Sequence, residues 1–146
     1  MNCPRCKDTR LEPIDLRGIE VDRCVFCRGI WLDHHELDEL EGKVMDKGYS
    51  KGTLTYFKRD SEIGCPKCGM GMTTFNYRAH DLPIDLCQQG HGYWLDPGED
   101  EKVISILRER VTDLKRSSSA EASWLKTKTG GQSTSILSKI KNLFRR

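Results

Sequence analysis

Apolar residues recur at helical spacing in three parts of the chain. In two of them, positions three and four residues apart would line one face of a helix. We predict a first helix from about His34 to Lys47, ended by Gly48, and a second helix from Pro97 to about Arg116. The apolar faces are formed by Leu37, Leu40 and Val44 in the first helix and by Ile104, Leu107, Val111 and Leu114 in the second. The second face suits packing on the protein's own modules or a short dimer seam.

The third part is the C-terminal sequence ILSKIKNLFRR, in which cations are interspersed among apolar residues. The preceding sequence, RSSSAEASWLKTKTGGQSTS, is small and polar, and we predict a flexible linker at residues 117–134. A basic amphipathic tail at residues 135–146 is suited to docking in a partner's groove or on an anionic membrane surface. A tail that is only solvated, or that packs on its own protein, is the alternative.

The chain contains two copies of one pattern. Each copy begins with Cys-Pro-x-Cys, continues through residues that predict a β-hairpin, and reaches Trp-Leu-Asp, at Trp31–Asp33 and Trp94–Asp96. A repeat of this length indicates two tandem modules. We place them at residues 1–47 and 63–116, with a linker at residues 48–62.

The cysteines of both copies have the spacing of zinc ligands. The first copy has two C-x2-C pairs, whereas the second has one pair, a third cysteine and then a histidine in CQQGH. A C-x2-C turn brings two thiolates to one side of a metal ion, and a hairpin returns the other donors to its opposite side. We predict two Zn²⁺ ions, one held by four cysteines and one held by three cysteines and a histidine, with a solvated histidine and water as the alternative at the second site. The predicted ligands are Cys3, Cys6, Cys24 and Cys27 in the first site and Cys65, Cys68, Cys87 and His91 in the second.

The sequence DHHE after the first Trp-Leu is consistent with a catalytic metal centre or with a helix start. The second copy has DPGE at the same place, so only the aspartate and the glutamate recur. Asp-x-x-Glu ahead of a helix is close to a capping box, and Pro97 suits the first helical position. We therefore predict that His34 and His35 are surface residues of a helix start and that the protein is not an enzyme.

Several aromatic residues and one glycine are predicted to have structural roles. Trp31 and Trp94 are expected to cover the hairpins and shield the metal ions, and Gly29 to allow a close approach that a side chain would obstruct. Between the modules, Tyr49, Tyr56 and Phe57 are expected to pack on a ribbon, with partner binding as the alternative. Modules of about 40 residues usually need a metal ion or disulfides to fold, so zinc would replace a large apolar core.

The Cys-Pro-x-Cys opening, the hairpin, the second knuckle and the following Gly-x-Trp-Leu-Asp resemble the transcription-factor-IIB-type zinc-finger family of small bacterial proteins. The resemblance covers residues 1–42 and 63–103, and the second copy departs from the four-cysteine pattern at His91. It implies a small metal-stabilised α+β fold with two tandem rubredoxin-like zinc ribbons. Each ribbon is a β-hairpin plus a third strand, and each is followed by an α-helix. It also implies a link to transcription.

Composition adds the expected compartment. The chain has 146 residues, 36% hydrophobic and 32% charged, and lacks the apolar run of about eighteen residues that spans a membrane. The first ten residues have no apolar segment of a signal peptide, so we expect a cytoplasmic protein. Seven cysteines in a reducing compartment favour metal binding over disulfides.

The charge distribution ranks the candidate functions. Residues 1–114 carry 16 Lys and Arg against 21 Asp and Glu, whereas residues 115–146 carry 8 against 1. Metal-bound thiolates make the first part more acidic still, which disfavours contact with phosphates. We predict a non-catalytic adaptor or regulator that binds a protein partner. The alternatives are nucleic-acid binding through the basic tail and the first knuckle, with Arg5, Lys7 and Arg10, and a rubredoxin-like electron carrier.

Overall fold

The computed structural model describes residues 1–45 and 55–129, which form seven strands and two helices. The strands are β1 (Leu11–Asp15), β2 (Glu20–Cys24), β3 (Ile30–Leu32), β4 (Thr55–Gly64), β5 (Gly71–Tyr77), β6 (Pro83–Leu86) and β7 (Tyr93–Leu95). The helices are α1 (His34–Val44) and α2 (Glu99–Thr129). Within the described residues, no helix is both long enough and apolar enough to cross a membrane.

The chain divides into two compact units, Met1–Glu109 and Arg110–Arg146. The first unit holds the seven strands of the described residues, α1 and the beginning of α2, so the strands of both predicted ribbons lie within it. In the second unit the structure describes residues 110–129, which are helical and largely exposed.

Both copies have the predicted β-hairpin and third strand, which confirms the α+β ribbon fold. Ribbon 1 contains β1, β2 and β3, and ribbon 2 contains β5, β6 and β7, all antiparallel. Strands β3 and β7 also pair with each other, with Trp31 opposite Trp94. The two ribbons therefore share one seven-stranded sheet in the order β1-β2-β3-β7-β6-β5-β4.

The sheet begins with a tight hairpin in ribbon 1. Leu16 and Ile19 exchange backbone hydrogen bonds of 2.8 and 3.2 Å, and between them Arg17 and Gly18 have φ values of 58° and 78°. Two left-handed residues form the type of turn whose twist matches that of paired strands. The carboxylate of Asp15 accepts a hydrogen bond from the Gly18 amide at 3.0 Å, which stabilises the turn.

Strand β4 occupies residues that we predicted to be a linker. It pairs with β5 and is interrupted by register shifts, one of them around Phe57, which has a φ of 51°. The linker prediction at residues 48–62 is therefore wrong for residues 55–62, because the outer edge of β5 binds this segment through backbone hydrogen bonds. Phe57 is 78% exposed, so the expectation that it packs on a ribbon is also wrong. Tyr49 and the side chain of Tyr56 lie outside the described residues.

Two tryptophans, Trp31 of ribbon 1 and Trp94 of ribbon 2, are completely buried between the ribbons. Each packs against a glycine of the other ribbon. A Cβ atom added to Gly29 would lie 2.2 Å from the Trp94 ring, and one added to Gly92 would lie 3.0 Å from the Trp31 ring. Gly29 thus permits the expected close approach, and the side chain that approaches it belongs to the other copy. The tryptophans belong to one apolar cluster that includes four of the predicted ligands. These ligands are Cys3, Cys24, Cys65 and Cys87.

Helix α1 begins with the predicted capping box. The Asp33 side chain accepts from the Glu36 amide at 2.8 Å, and the Glu36 carboxylate accepts from the Asp33 amide at 2.7 Å. His35 is exposed as expected, whereas His34 is half-buried, with its ring edge-to-face on Tyr93 of ribbon 2 at 4.9 Å.

The predicted end of α1 is wrong. The helix stops at Val44, because the buried Met45 adopts an extended backbone, whereas we expected it to reach Lys47. Leu37 and Leu40 are buried and Val44 is half-buried, which confirms the apolar face. Residues 46–54, which include Gly48, are outside the described part of the chain.

Both predicted ends of α2 are wrong. The helix begins at Glu99 because Gly98, with a φ of 82°, places Pro97 in a turn before it. It continues past Arg116 to Thr129, through residues predicted as a flexible linker. No Gly or Pro interrupts residues 99–129, and the three consecutive serine hydroxyls at 117–119 donate to carbonyl groups three residues earlier.

The apolar face of α2 is buried in the part of the helix that belongs to the first unit, as expected for packing on the protein's own modules. Ile104 is 3% exposed and Leu107 is fully buried, and Val103 beside them is fully buried too. Val111 and Leu114, which lie in the second unit, are half-buried.

Candidate metal centres

The first candidate centre lies where two tight turns of ribbon 1 bring four cysteines together. In one turn the Lys7 amide donates to the Cys3 carbonyl at 2.8 Å, and in the other the Arg28 amide donates to the Cys24 carbonyl at 2.9 Å. The Sγ atoms of Cys3 and Cys27 are 3.6 Å apart. All four sulfur atoms lie within 4.8 Å of one another, and they belong to Cys3, Cys6, Cys24 and Cys27.

The second candidate centre has three cysteines and one histidine. His91 places its Nδ1 atom 3.4 Å from the Sγ atom of Cys87 and 3.9 Å from that of Cys65. The Sγ atoms of Cys68 and Cys87 are 3.8 Å apart, and all four donor atoms lie within 4.8 Å of one another. The extra residue of CQQGH is accommodated by a turn at Gly90, which has a φ of 78°. The structure therefore brings His91 to the place that a fourth cysteine occupies in ribbon 1.

Both groups of donors fit a tetrahedral zinc ion. With zinc–sulfur bonds of about 2.3 Å and zinc–nitrogen bonds of about 2.0 Å, tetrahedral geometry separates two sulfur ligands by about 3.8 Å and a sulfur from a nitrogen by about 3.5 Å. The sulfur–sulfur distances of 3.6 and 3.8 Å and the sulfur–nitrogen distances of 3.4 and 3.9 Å agree with this. Each group can hold a metal ion with four protein donors, an arrangement that leaves no position for a substrate.

The two centres also share one pattern of thiol ionisation. Burial raises the pKa of Cys3 to about 12 and that of Cys65 to about 11, and neighbouring thiols add to both effects. Burial acts in the same direction on Cys24 and Cys87, but amide groups in their own turns donate to the sulfur and lower each pKa to about 7. Each centre thus has a thiol that ionises near neutral pH, and thiolates are the form that binds zinc.

An ion pair joins the first centre to ribbon 2. Arg5, between two ligands of the first centre, donates from Nε and from a terminal nitrogen to the two carboxylate oxygens of Asp96, both at 2.5 Å. The hydrogen bond to Asp96 raises the pKa of Arg5. Asp96 also accepts from the indole nitrogen of Trp94 at 3.0 Å, so its carboxylate does not cap α2 as the Asp33 carboxylate caps α1. The Glu99 carboxylate still accepts from the Asp96 amide at 2.7 Å, which preserves half of the capping box.

A second contact between the ribbons is a buried polar network. Tyr77, at the end of β5, donates its hydroxyl to Glu41 of α1 at 2.6 Å, and Arg78 donates to the other Glu41 oxygen at 2.8 Å. Arg78 also donates to the Tyr77 hydroxyl at 3.1 Å. The charged side chains are 2% and 1% exposed, and burial raises the pKa of Tyr77. The network ties the helix of ribbon 1 to the hairpin of ribbon 2.

Sequence reasoning missed the ion pair of Arg5 with Asp96 and the buried network at Glu41. Glu41 lies between apolar positions of a helix, and nothing in the sequence distinguishes it from an exposed glutamate. The sequence did contain an indication of the Arg5 ion pair. The second copy also has a cation between its first two cysteines, Lys67, and each copy has an Asp-x-x-Glu segment whose carboxylates can pair with such a cation. Lys67 lies close enough to Glu36 to lower its pKa, although burial raises that pKa overall.

The comparisons with known proteins agree with this geometry. The transcription factor zinc-finger family matches the chain twice, at residues 2–42 and 64–106, which together form more than half of its length. The chain therefore belongs to the transcription factor zinc-finger family, as two tandem copies. No curated protein and no solved structure gave a significant match to the chain.

Proposed function

We propose that the chain binds two structural zinc ions, one in the four-cysteine centre and one in the centre of three cysteines and a histidine, and acts as a non-catalytic adaptor or regulator for a protein partner. The observation that carries this proposal is the pair of four-donor groups, whose tetrahedral spacing leaves no open coordination position. The zinc ions would supply folding free energy, since metal binding in such small modules contributes on the order of 10 kcal/mol.

The charge of the first unit supports a protein partner. Residues 1–109 contain 15 Lys and Arg against 20 Asp and Glu. Zinc bound to thiolates adds about two negative charges at the four-cysteine centre and about one at the centre that contains the histidine. Such a surface repels nucleic-acid phosphates, whose binding depends largely on Lys and Arg contacts. Rigid ribbons with exposed turns are suited to contacts with another protein, and transcription proteins are one class of partner that the family name suggests.

Nucleic-acid binding is the second candidate because residues 110–129 have the opposite charge. They contain five Lys and Arg against two Asp and Glu, on a helix that also exposes Trp124 and Leu125. Single-stranded nucleic acids bind surfaces that combine cations with aromatic side chains. A charge reversal on the full-length chain, Lys115→Glu with Arg116→Glu, tests this candidate. Salt-sensitive binding to RNA or DNA that the reversal abolishes would support it, and absence of binding by the unaltered chain at low salt would exclude it.

Metal analysis tests the zinc proposal. Protein purified without added metal is expected to contain two zinc ions per chain. Cys27→Ser and His91→Ala are each expected to retain one, because each removes a ligand from a different centre. Iron in place of zinc would favour the electron-carrier interpretation, and one zinc ion in the unaltered chain would contradict the assignment of His91. We also propose a cytoplasmic location, since these thiols must stay reduced to bind metal.

A further inference from the structure

We propose that the exposed end of ribbon 1 is the docking surface of the adaptor and that it binds a short acidic and apolar segment of a partner protein. This surface, which we call the ribbon 1 tip, consists of Lys7, Val25, Phe26 and Arg28. This inference rests on the proposed adaptor function and locates partner binding at these four residues.

The ribbon 1 tip presents an apolar pair to solvent. Val25 and Phe26, which lie between two ligands of the first centre, are 60% and 81% exposed. The corresponding turn of ribbon 2 carries Gln88 and Gln89, both exposed. The ribbon fold therefore accepts polar residues at these positions, so folding does not explain the apolar pair of ribbon 1. Exposed apolar residues at a rigid turn are a feature of protein contact sites.

Two cations flank this pair at backbone positions that favour glycine. Lys7 has a φ of 56° and Arg28 a φ of 66°, in the left-handed region that disfavours residues with a side chain. At the position of Lys7 ribbon 2 has a glycine, Gly69, with a φ of 72°, whereas the residue that corresponds to Arg28 is the candidate ligand His91. Residues kept in such a conformation at an energetic cost tend to mark functional positions.

The metal centre holds these elements at one end of the module. Lys7 follows the ligand Cys6 and Arg28 follows the ligand Cys27, and the sulfur atoms of the centre lie within 4.8 Å of one another. Across residues 1–45 and 55–129, neither Lys7 nor Arg28 forms an ion pair, whereas Arg5 is engaged by Asp96. Both cations are therefore available to a ligand.

Charge complementarity selects the occupant. Two free cations beside an apolar pair match carboxylates beside apolar side chains, as in a peptide that alternates Asp or Glu with Leu or Phe. A nucleic acid would also meet the cations and the aromatic ring. However, it would approach a unit whose Asp and Glu outnumber its Lys and Arg by 20 to 15, next to a thiolate centre. A protein segment has a lower charge density and is favoured for that reason.

A selection from a displayed library of random twelve-residue peptides tests the proposal, with zinc-loaded full-length protein as the target. Two variants should leave the fold intact. Val25→Gln with Phe26→Gln transfers the ribbon 2 residues of the same turn, and Lys7→Gly with Arg28→Gly places glycine at two positions of positive φ. The control is Phe57→Gln, which removes an apolar residue that is 78% exposed on β4. Zinc content and melting temperature check that every variant is folded.

The expected result is enrichment of acidic and apolar peptides on the unaltered chain. Their dissociation constants should rise at least tenfold with the Gln pair and with the Gly pair, and stay within twofold with Phe57→Gln. Peptides that bind the unaltered chain and the Gln pair equally would overturn the tip assignment while the adaptor function stands. If no peptide is enriched on any form, both the tip assignment and the adaptor proposal are overturned. Binding of a single-stranded twelve-nucleotide RNA that requires Phe26 would identify the tip as a nucleic-acid site and overturn the proposal in that way.

Discussion

Replacement of Arg78 by methionine tests the contact between the helix of ribbon 1 and the hairpin of ribbon 2. Arg78 and Glu41 are almost fully buried and their charged atoms are 2.8 Å apart. Methionine has a similar length but no charge, so the buried Glu41 carboxylate would lose the charged hydrogen bond from Arg78. Loss of one partner of a buried pair costs about 3–5 kcal/mol. Because Tyr77 still donates to Glu41 at 2.6 Å, we expect a loss at the lower end, about 3 kcal/mol.

The assay is denaturant unfolding of the zinc-loaded chain at a fixed free zinc concentration, followed by tryptophan fluorescence. Trp31 and Trp94 are completely buried between the ribbons and should report on one transition. The control Lys58→Met removes an exposed cation on β4 and is expected to change the free energy of unfolding by less than about 0.5 kcal/mol.

A combined replacement separates the charge from the packing. Glu41→Leu, Tyr77→Phe and Arg78→Met together remove both charges and the hydroxyl that bonds to them, and replacement of a buried ion pair by apolar residues is often close to neutral. We expect this triple variant to regain most of the stability lost by Arg78→Met. A loss below about 1 kcal/mol for Arg78→Met, or equal losses for Arg78→Met and Lys58→Met, would refute the role of the network in joining the ribbons.

Three further predictions concern the core, a helix start and a buried acid. Gly29→Ala should lower the free energy of unfolding by about 2–3 kcal/mol, because the new Cβ would lie 2.2 Å from the Trp94 ring. The control Gly71→Ala, with open space around the new Cβ, should have little effect, and a denaturant titration compares the two variants. Asp33→Ala should cost about 1 kcal/mol and reduce α1 helicity, measured by circular dichroism and thermal melting. Burial raises the pKa of Glu99 to about 7 from its ordinary value of 4.5, so its folded form holds a proton that the unfolded form releases. Its contribution to stability therefore falls as pH rises from about 4.5 to 7, and Glu99→Gln should gain about 1–2 kcal/mol over the unaltered chain across that interval, after allowance for solvent screening. Parallel stability curves for the two proteins would contradict this.

The two groups of candidate metal ligands could be predicted from the sequence because their geometry is local. A C-x2-C turn and a hairpin determine where four donors meet, so the spacing of Cys3, Cys6, Cys24 and Cys27 contains most of the information. The repeat also indicated His91 as a candidate donor, and its ring lies with the three sulfur atoms of the second group. The capping box of α1 was predictable for the same reason, because Asp33 and Glu36 satisfy amides within one turn of chain.

The arrangement of the ribbons could not be predicted, because it depends on residues far apart in the sequence. Three contacts join the two copies, and none of them has a characteristic spacing in the sequence. They are the pairing of β3 with β7, the ion pair of Arg5 with Asp96, and the buried network at Glu41. In addition, Asp96 accepts from Arg5 and Trp94, and the second helix begins at Glu99, after the turn at Gly98. Strand β4 was missed because its partner, the free edge of β5, exists only after folding.

The length of α2 was missed for a different reason. The small polar residues after Arg116 favour a linker by composition, but serine hydroxyls satisfied by carbonyl groups of the preceding turn are compatible with a helix. The absence of Gly and Pro from residues 99–129 was the better signal.

We propose that two bound metal ions replace the large apolar core that each ribbon lacks. The most direct measurement is native mass spectrometry of the purified chain, paired with circular dichroism before and after complete chelation. We predict two zinc ions per chain and loss of the folded spectrum when both are removed, with recovery on return of zinc. A chain that holds one ion, or that keeps its folded spectrum without metal, would contradict this account.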